Sequence, residues 1–168
     1  MKIASILFVT LLLSSCVMQQ SFPLNGKYQE TPFVTYSDKS KDEVWSKVID
    51  VFAQKGLAIN VIDKSSGIIG SNDYSFTSIT HEMANDMPSD TTAWVVVNKY
   101  LIYGLDRPVH PNFVKGSFNV RVKEEGSKTS ININLVGLTA SLVSSTTTVH
   151  YDVKSTGVFE KTFAELVK

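Results

Sequence analysis

The sequence predicts an α+β domain: an antiparallel β-sheet with two helices packed on one face, in two layers. Three stretches carry that reading. Residues 40–56 form a capped amphipathic helix, residues 114–135 a hairpin of strict alternation, and residues 155–168 a second amphipathic helix. Each has one apolar face, and such faces are buried most simply against one another.

The chain before the first helix holds Phe33, Val34 and Tyr36, a short strand. Ser40 and Glu43 then have the spacing of a capping box, each side chain satisfying a backbone donor at the helix start. Asp42 and Glu43 suit the positive end of the helix dipole. Val44, Trp45, Val48, Val51 and Phe52 recur on one helical stripe, which Ile49 widens. Trp45 has the chemistry of a ligand-stacking ring, but its place on the stripe assigns it to the core. Lys55 closes the last turn and Gly56 is the natural residue after it. Residues 57–62 read as a strand, and residues 63–67 (DKSSG) as a turn with Gly67 at positive φ. Ile68 and Ile69 begin a returning strand that runs toward Phe76.

Residues 77–92 break the pattern with polar side chains, Pro88 and three acids, and predict a loop or a short irregular helix. Residues 93–97 (AWVVV) seed a strand that residues 98–103 continue, and residues 104–112 make a second loop stiffened by Pro108 and Pro111. The hairpin follows. Val114, Gly116, Phe118, Val120 and Val122 alternate with polar residues, residues 124–127 turn the chain, and Thr129, Ile131, Ile133 and Leu135 alternate on the way back. Such alternation puts one face on a core and one in water. Residues 141–153 are read as mostly a last strand, with Val149, Tyr151 and Val153 on one face. Ser155 or Thr156 caps the terminal helix, whose apolar face is Phe159, Phe163, Leu166 and Val167.

The N-terminus has a different character. Lys2 precedes an apolar run from residue 3 to residue 13, too short to span a bilayer. Small residues Ser14 and Ser15 follow, then Cys16, the single cysteine of the chain. This is the layout of an export signal cut between Ser15 and Cys16. Leu13-Ser14-Ser15-Cys16 also resembles the bacterial lipobox, in which the cysteine becomes the acylated first residue. A single cysteine makes no internal disulfide, so the mature domain relies on its core. The expected organisation is a signal peptide at 1–15, a lipidated N-terminus and tether at 16–31, and one domain at 32–168. The alternative for the tether is a strand-like arm packed on the domain, which Phe22 and Tyr28 would permit. Val17 after the cysteine, by similarity to sorted lipoproteins, implies the outer membrane, with the domain on the periplasmic face.

The stretch D-E-V-W at residues 42–45, the apolar strand after Gly56, and D-K-S-S-G-I-I at residues 63–69 resemble the repeated domain of BamC-like lipoproteins. BamC itself is a lipoprotein of the machine that assembles outer-membrane β-barrels, and similar domains occur in many other bacterial envelope lipoproteins. The resemblance implies a helix-plus-antiparallel-sheet module, of the kind described as helix-grip or TBP-like, and an envelope address. It carries over no catalytic residues. The chain has room for one such domain.

Charge and motifs narrow the function. Sixteen basic and sixteen acidic residues balance, and loss of residues 1–15 removes Lys2 alone, leaving 15 basic against 16 acidic, a net of −1. That is no footprint for nucleic acid. His81-Glu82 starts like a zincin helix, but Asn85 stands where the second histidine is needed, so no metal is expected. His110 and His150 read as isolated. Asp73, Asp86 and Asp90 lack the spacing of a calcium loop. No G-x-S-x-G elbow or phosphate loop appears, so neither an enzyme nor a cofactor is expected. The expectation is a lipid-anchored protein-binding or scaffolding module, engaged through its irregular loops at His81, Glu82, Asp86, Asp90, Arg107 and His110, in an envelope complex. The alternative is a small-molecule or lipid carrier, with Trp45, Phe52 and Phe118 lining a pocket between helix and sheet. A third reading is a hydrolase built on His81, Glu82 and His110.

Overall fold

The computed structural model describes residues 19–102, 105 and 107–168. The signal-like segment, with Ser15 and Cys16, lies outside them. Among the described residues the fold is α+β, with two helices and three sheets that are antiparallel in all but one pair.

The largest sheet grows from the hairpin. β8 (Phe113–Glu125) and β9 (Lys128–Val143) pair along most of their length. β4 (Ile68–Ser75) lies on the other side of β8, and β3 (Val61–Asp63) outside β4. The free edge of β9 takes two short strands: β2 (Phe33–Ser37) beside residues 129–133 and β10 (Thr148–Tyr151) beside residues 140–143. Alternation along β8 is as expected, with Val114, Phe118, Val120 and Val122 buried and Lys115, Asn119, Arg121 and Lys123 exposed. The strand expected at residues 57–62 is shorter and later; Leu57 is buried, but ladder pairing begins at Val61. The turn before β4 is set by Gly67 at φ 73°, where a Cβ would run into the Val122 carbonyl.

Helix α1 (Lys41–Gln54) starts on the expected capping box. Ser40 Oγ accepts from the Glu43 N–H at 3.3 Å, and Glu43 Oε2 accepts from the Ser40 N–H at 2.9 Å. Its five stripe residues are all buried, Trp45 included. Helix α2 (Val158–Val167) begins differently from the expectation. Gly157, at φ 82°, is the N-cap, while Thr156 Oγ1 accepts from the Val158 N–H and Ser155 Oγ from the Gly157 N–H. Leu166 is exposed rather than buried, and Ala164 takes its place on the core side. α1 touches α2 and β8, and α2 touches β9. Phe52 meets Phe118 and Phe163 edge-on at 5.5 and 5.7 Å, so aromatic rings fill the space between the first helix and the sheet. Trp45, Phe52 and Phe118 are each buried.

Two smaller sheets were not legible. Residues 77–92, expected as loop or helix, contain β5 (Ile79–His81), which pairs in parallel with β6 (Val95–Val97). The final strand expected over residues 141–153 is two strands: β10 stays with β9, and after Asp152 the chain enters β11 (Val153–Ser155), which pairs with β6. The third sheet joins β1 (Gln19–Phe22) to β7 (Lys99–Ile102). The tether expected at residues 16–31 is therefore, from residue 19 on, an arm packed on the domain. A further bridge ties Gln29 to Ser155.

One polar group in the core stands out. Glu160 is fully buried, and both carboxyl oxygens lie 2.8 and 2.9 Å from the single hydroxyl of Ser155. A hydroxyl has one proton, so a neutral carboxyl fits better: it accepts through one oxygen and donates through the other. Burial pushes Glu160 above the usual carboxylate range, outweighing the Ser155 hydroxyl and the N–H groups of Glu160 and Leu135. Because the folded value is raised, this group's stabilisation is full at low pH and is lost as pH rises through the folded value. Glu160→Gln, which keeps one donor and one acceptor, is expected to raise the melting temperature at pH 8 and to match wild type near pH 4; thermal unfolding at the two pH values measures it.

Candidate functional site

The first of the expected binding loops, residues 77–92, meets the docked arm, and Glu82 is the clamp. It follows directly after β5, is 5 % exposed, and directs its carboxylate at the arm. Glu82 Oε1 accepts from the Asn25 N–H at 2.9 Å; Oε2 accepts from the Gly26 N–H at 2.9 Å and the Tyr28 hydroxyl at 2.6 Å. Burial alone would raise this carboxyl. The donors from Asn25, Tyr28 and Gly26, with Lys99 nearby, outweigh it and hold Glu82 below the usual range, so the clamp is ionised. Burial, then the hydrogen bond to Glu82, pushes the Tyr28 hydroxyl well above its ordinary value. Two surface grooves flank the clamp. One, about 360 Å³, is lined by Phe22, Met83, Lys99 and Leu101 among others. The other, about 540 Å³, lies between Tyr28, Met87, Thr156 and Lys161.

His110 reads as isolated in sequence, and the fold brings it to His81, as the hydrolase reading required of that pair. Their rings lie 4.3 Å apart, with His81 Nε2 3.1 Å from His110 Nδ1. His81 Nδ1 lies 3.3 Å from the Asn98 carbonyl, which only accepts, so Nδ1 carries the proton. Neutral His81 then accepts at Nε2, and His110 Nδ1–H donates. Burial, and next the neighbouring His110, hold His81 below the ordinary histidine value. Of the three residues of the hydrolase reading, His81 and His110 bond to each other, while the Glu82 carboxylate is taken up by the arm. Among the described residues no three His, Cys, Asp or Glu side chains gather as metal ligands.

The remaining candidates divide between surface and frame. Asp90 Oδ1 accepts from the Thr92 N–H and hydroxyl at 2.8 and 2.7 Å and shapes its own turn. Asp86 is exposed at φ 62° in the turn closed by the Met83 N–H to Met87 carbonyl bond of 2.7 Å. Arg107, His110 and His150 are exposed. His81 and Glu82 are buried and committed to the frame, so they are not free to meet a partner.

Sequence reasoning missed the residue that joins all this. Asn98 sits between β6 and β7, 2 % exposed, with its four polar groups all engaged. Its N–H donates to the Asp152 carbonyl at 3.1 Å, and its Oδ1 accepts from the Asp152 N–H at 2.9 Å. Its Nδ2 donates to Ser21 Oγ in the arm at 2.7 Å, and its carbonyl takes the His81 proton. The signal was a lone asparagine splitting two apolar strand runs.

Compared with known proteins, the chain matches no family model, and no curated protein is similar to it in sequence.

Two outcomes are expected. Glu82→Ala removes three charge-assisted bonds and costs on the order of 3 kcal/mol, with the arm at residues 23–31 becoming the first site of limited proteolysis. His81 has a lowered folded value, so its stabilisation is present above pH 6.5 and lost as pH falls through the folded value. His81→Gln is expected to flatten that acid-side loss, read as melting temperature against pH.

Proposed function

We propose that this chain is a bacterial envelope lipoprotein, anchored through lipid on Cys16. Its domain, a BamC-like module with both helices on one sheet face in two layers, faces the periplasm at the outer membrane. It binds or scaffolds other proteins and does no chemistry. The observation that carries the reading is the order of residues 2–16: a lysine, a short apolar run, two serines, and the one cysteine of the chain. Contacts of α1 with β8 and of α2 with β9 support the two-layer arrangement. The exposed turns that carry Asp86, Asp90, Arg107 and His110 supply the recognition surface, because the core beneath is filled with aromatic rings.

The test has two arms. Expressed in a diderm bacterium, the wild-type chain is expected in the outer-membrane fraction with a diacylated N-terminal cysteine, and Cys16→Ala is expected to leave it. A photo-crosslinker at Asp90 or Arg107 is expected to trap one discrete protein species that a crosslinker at Lys123, on the outer face of β8, does not. Equal membrane partition of the Cys16→Ala chain would sink the anchor, and identical crosslinks from all three positions would sink the recognition surface.

A further inference from the structure

We infer that the β1–β7 ribbon is a membrane-apposed face, held flat against the lipid surface, rather than a spacer that lets the domain stand away from it. The inference rests on the lipid anchor at Cys16 and adds an orientation to it.

Length is the first argument. β1 begins at Gln19, three residues after Cys16, and three residues reach about 10 Å at most. Beyond Gln19 the chain has no slack. Residues 19–22 are paired to β7, Asn25, Gly26 and Tyr28 are held by Glu82, and Gln29 is bridged to Ser155. A lipid on Cys16 therefore sets the ribbon within about 10 Å of the acyl attachment point.

Side-chain direction is the second. Directly paired residues share a face. Gln19 and Ser21 lie on one face and are engaged by the domain: the Tyr100 hydroxyl donates to the Gln19 side chain, and Asn98 donates to Ser21. Gln20 and Phe22, paired with Leu101 and Lys99, form the other face. Phe22 is 38 % exposed there, and Met83 beside the same groove is 41 % exposed. The groove on this face is lined by an aromatic ring, a thioether, a leucine and one lysine, along with Glu82, whose carboxylate the arm takes up, and Asp86; a lysine there lays its stem along apolar surface and extends its head toward the lipid headgroups. This is the composition of an interfacial contact, on the one face the anchor brings to the bilayer.

The test uses the full, lipidated chain. With Cys16 acylated, Met83→Cys supplies a single thiol for an environment-sensitive fluorophore, and Lys123→Cys supplies the comparison on the outer face of β8. The protein is reconstituted in phosphatidylethanolamine–phosphatidylglycerol vesicles at high lipid-to-protein ratio. Intact mass of the N-terminal peptide is recorded on the same sample. The Met83 label is expected to shift to the blue, and doxyl groups within the 5–10 Å of an interfacial contact to quench about half its emission, while the Lys123 label stays water-like. A diacylated chain whose two labels are equally water-like overturns the apposition and leaves the anchor standing. A blue-shifted Met83 label that doxyl lipid does not quench means that protein covers the face, a second copy, and overturns it too. A chain without the lipid mass overturns the anchor and the apposition with it.

Discussion

All three sheets meet at one asparagine. Asn98 follows the strand of the three-stranded sheet, β6, and precedes the strand that receives the arm, while its partner Asp152 lies where the chain leaves the largest sheet. Two bonds between these residues, one backbone to backbone and one from the Asp152 N–H to Asn98 Oδ1, bind the sheets, and Asn98 Nδ2 reaches Ser21 in the arm. An amide has one acceptor and one donor group, and no other side chain of that size offers both in one plane. Buried polar groups are costly when only some are satisfied, so the junction is cooperative: loss of one bond exposes the others to the same penalty.

Glu82 adds a different kind of constraint. Backbone N–H groups and a phenol gather around one carboxylate and, with Lys99 nearby, hold it in its charged form. The arm thus closes over a negative charge that would be expensive to leave bare. Together the two residues explain why a segment rich in polar residues and punctuated by Pro23 and Gly26 is ordered against the domain. Its own apolar content is small; what it brings is donors.

The sequence was legible where structure is local or periodic. The capping box of Ser40 and Glu43, the stripe from Val44 to Phe52 and the alternation of β8 follow from spacing, and the fold keeps them. It was illegible where pairing is distant. β5 is three residues long, too short for a period to register, and its burial comes from β6, joined in parallel after an intervening loop. The break between β10 and β11 rests on Asp152 turning toward Asn98, and a Ser/Thr/Val-rich run shows no mark of it. Nothing in the sequence marks Glu160 either: it stands in the first turn of a helix, and Ser155 and the surrounding core bury it only once the chain is folded. The same holds for His81 and His110, 29 positions apart and each isolated by any spacing rule.

The distance along the chain between the arm and its partner also sets an order of events. Tyr100, which holds Gln19, comes 81 positions after it. While the chain is being made, residues 19–22 have no strand to pair with until Lys99–Ile102 arrives, and closing so long a loop comes late in folding. Once β7 forms, the strand beside it zips shut, so the docked arm is among the last parts of the domain to take its place.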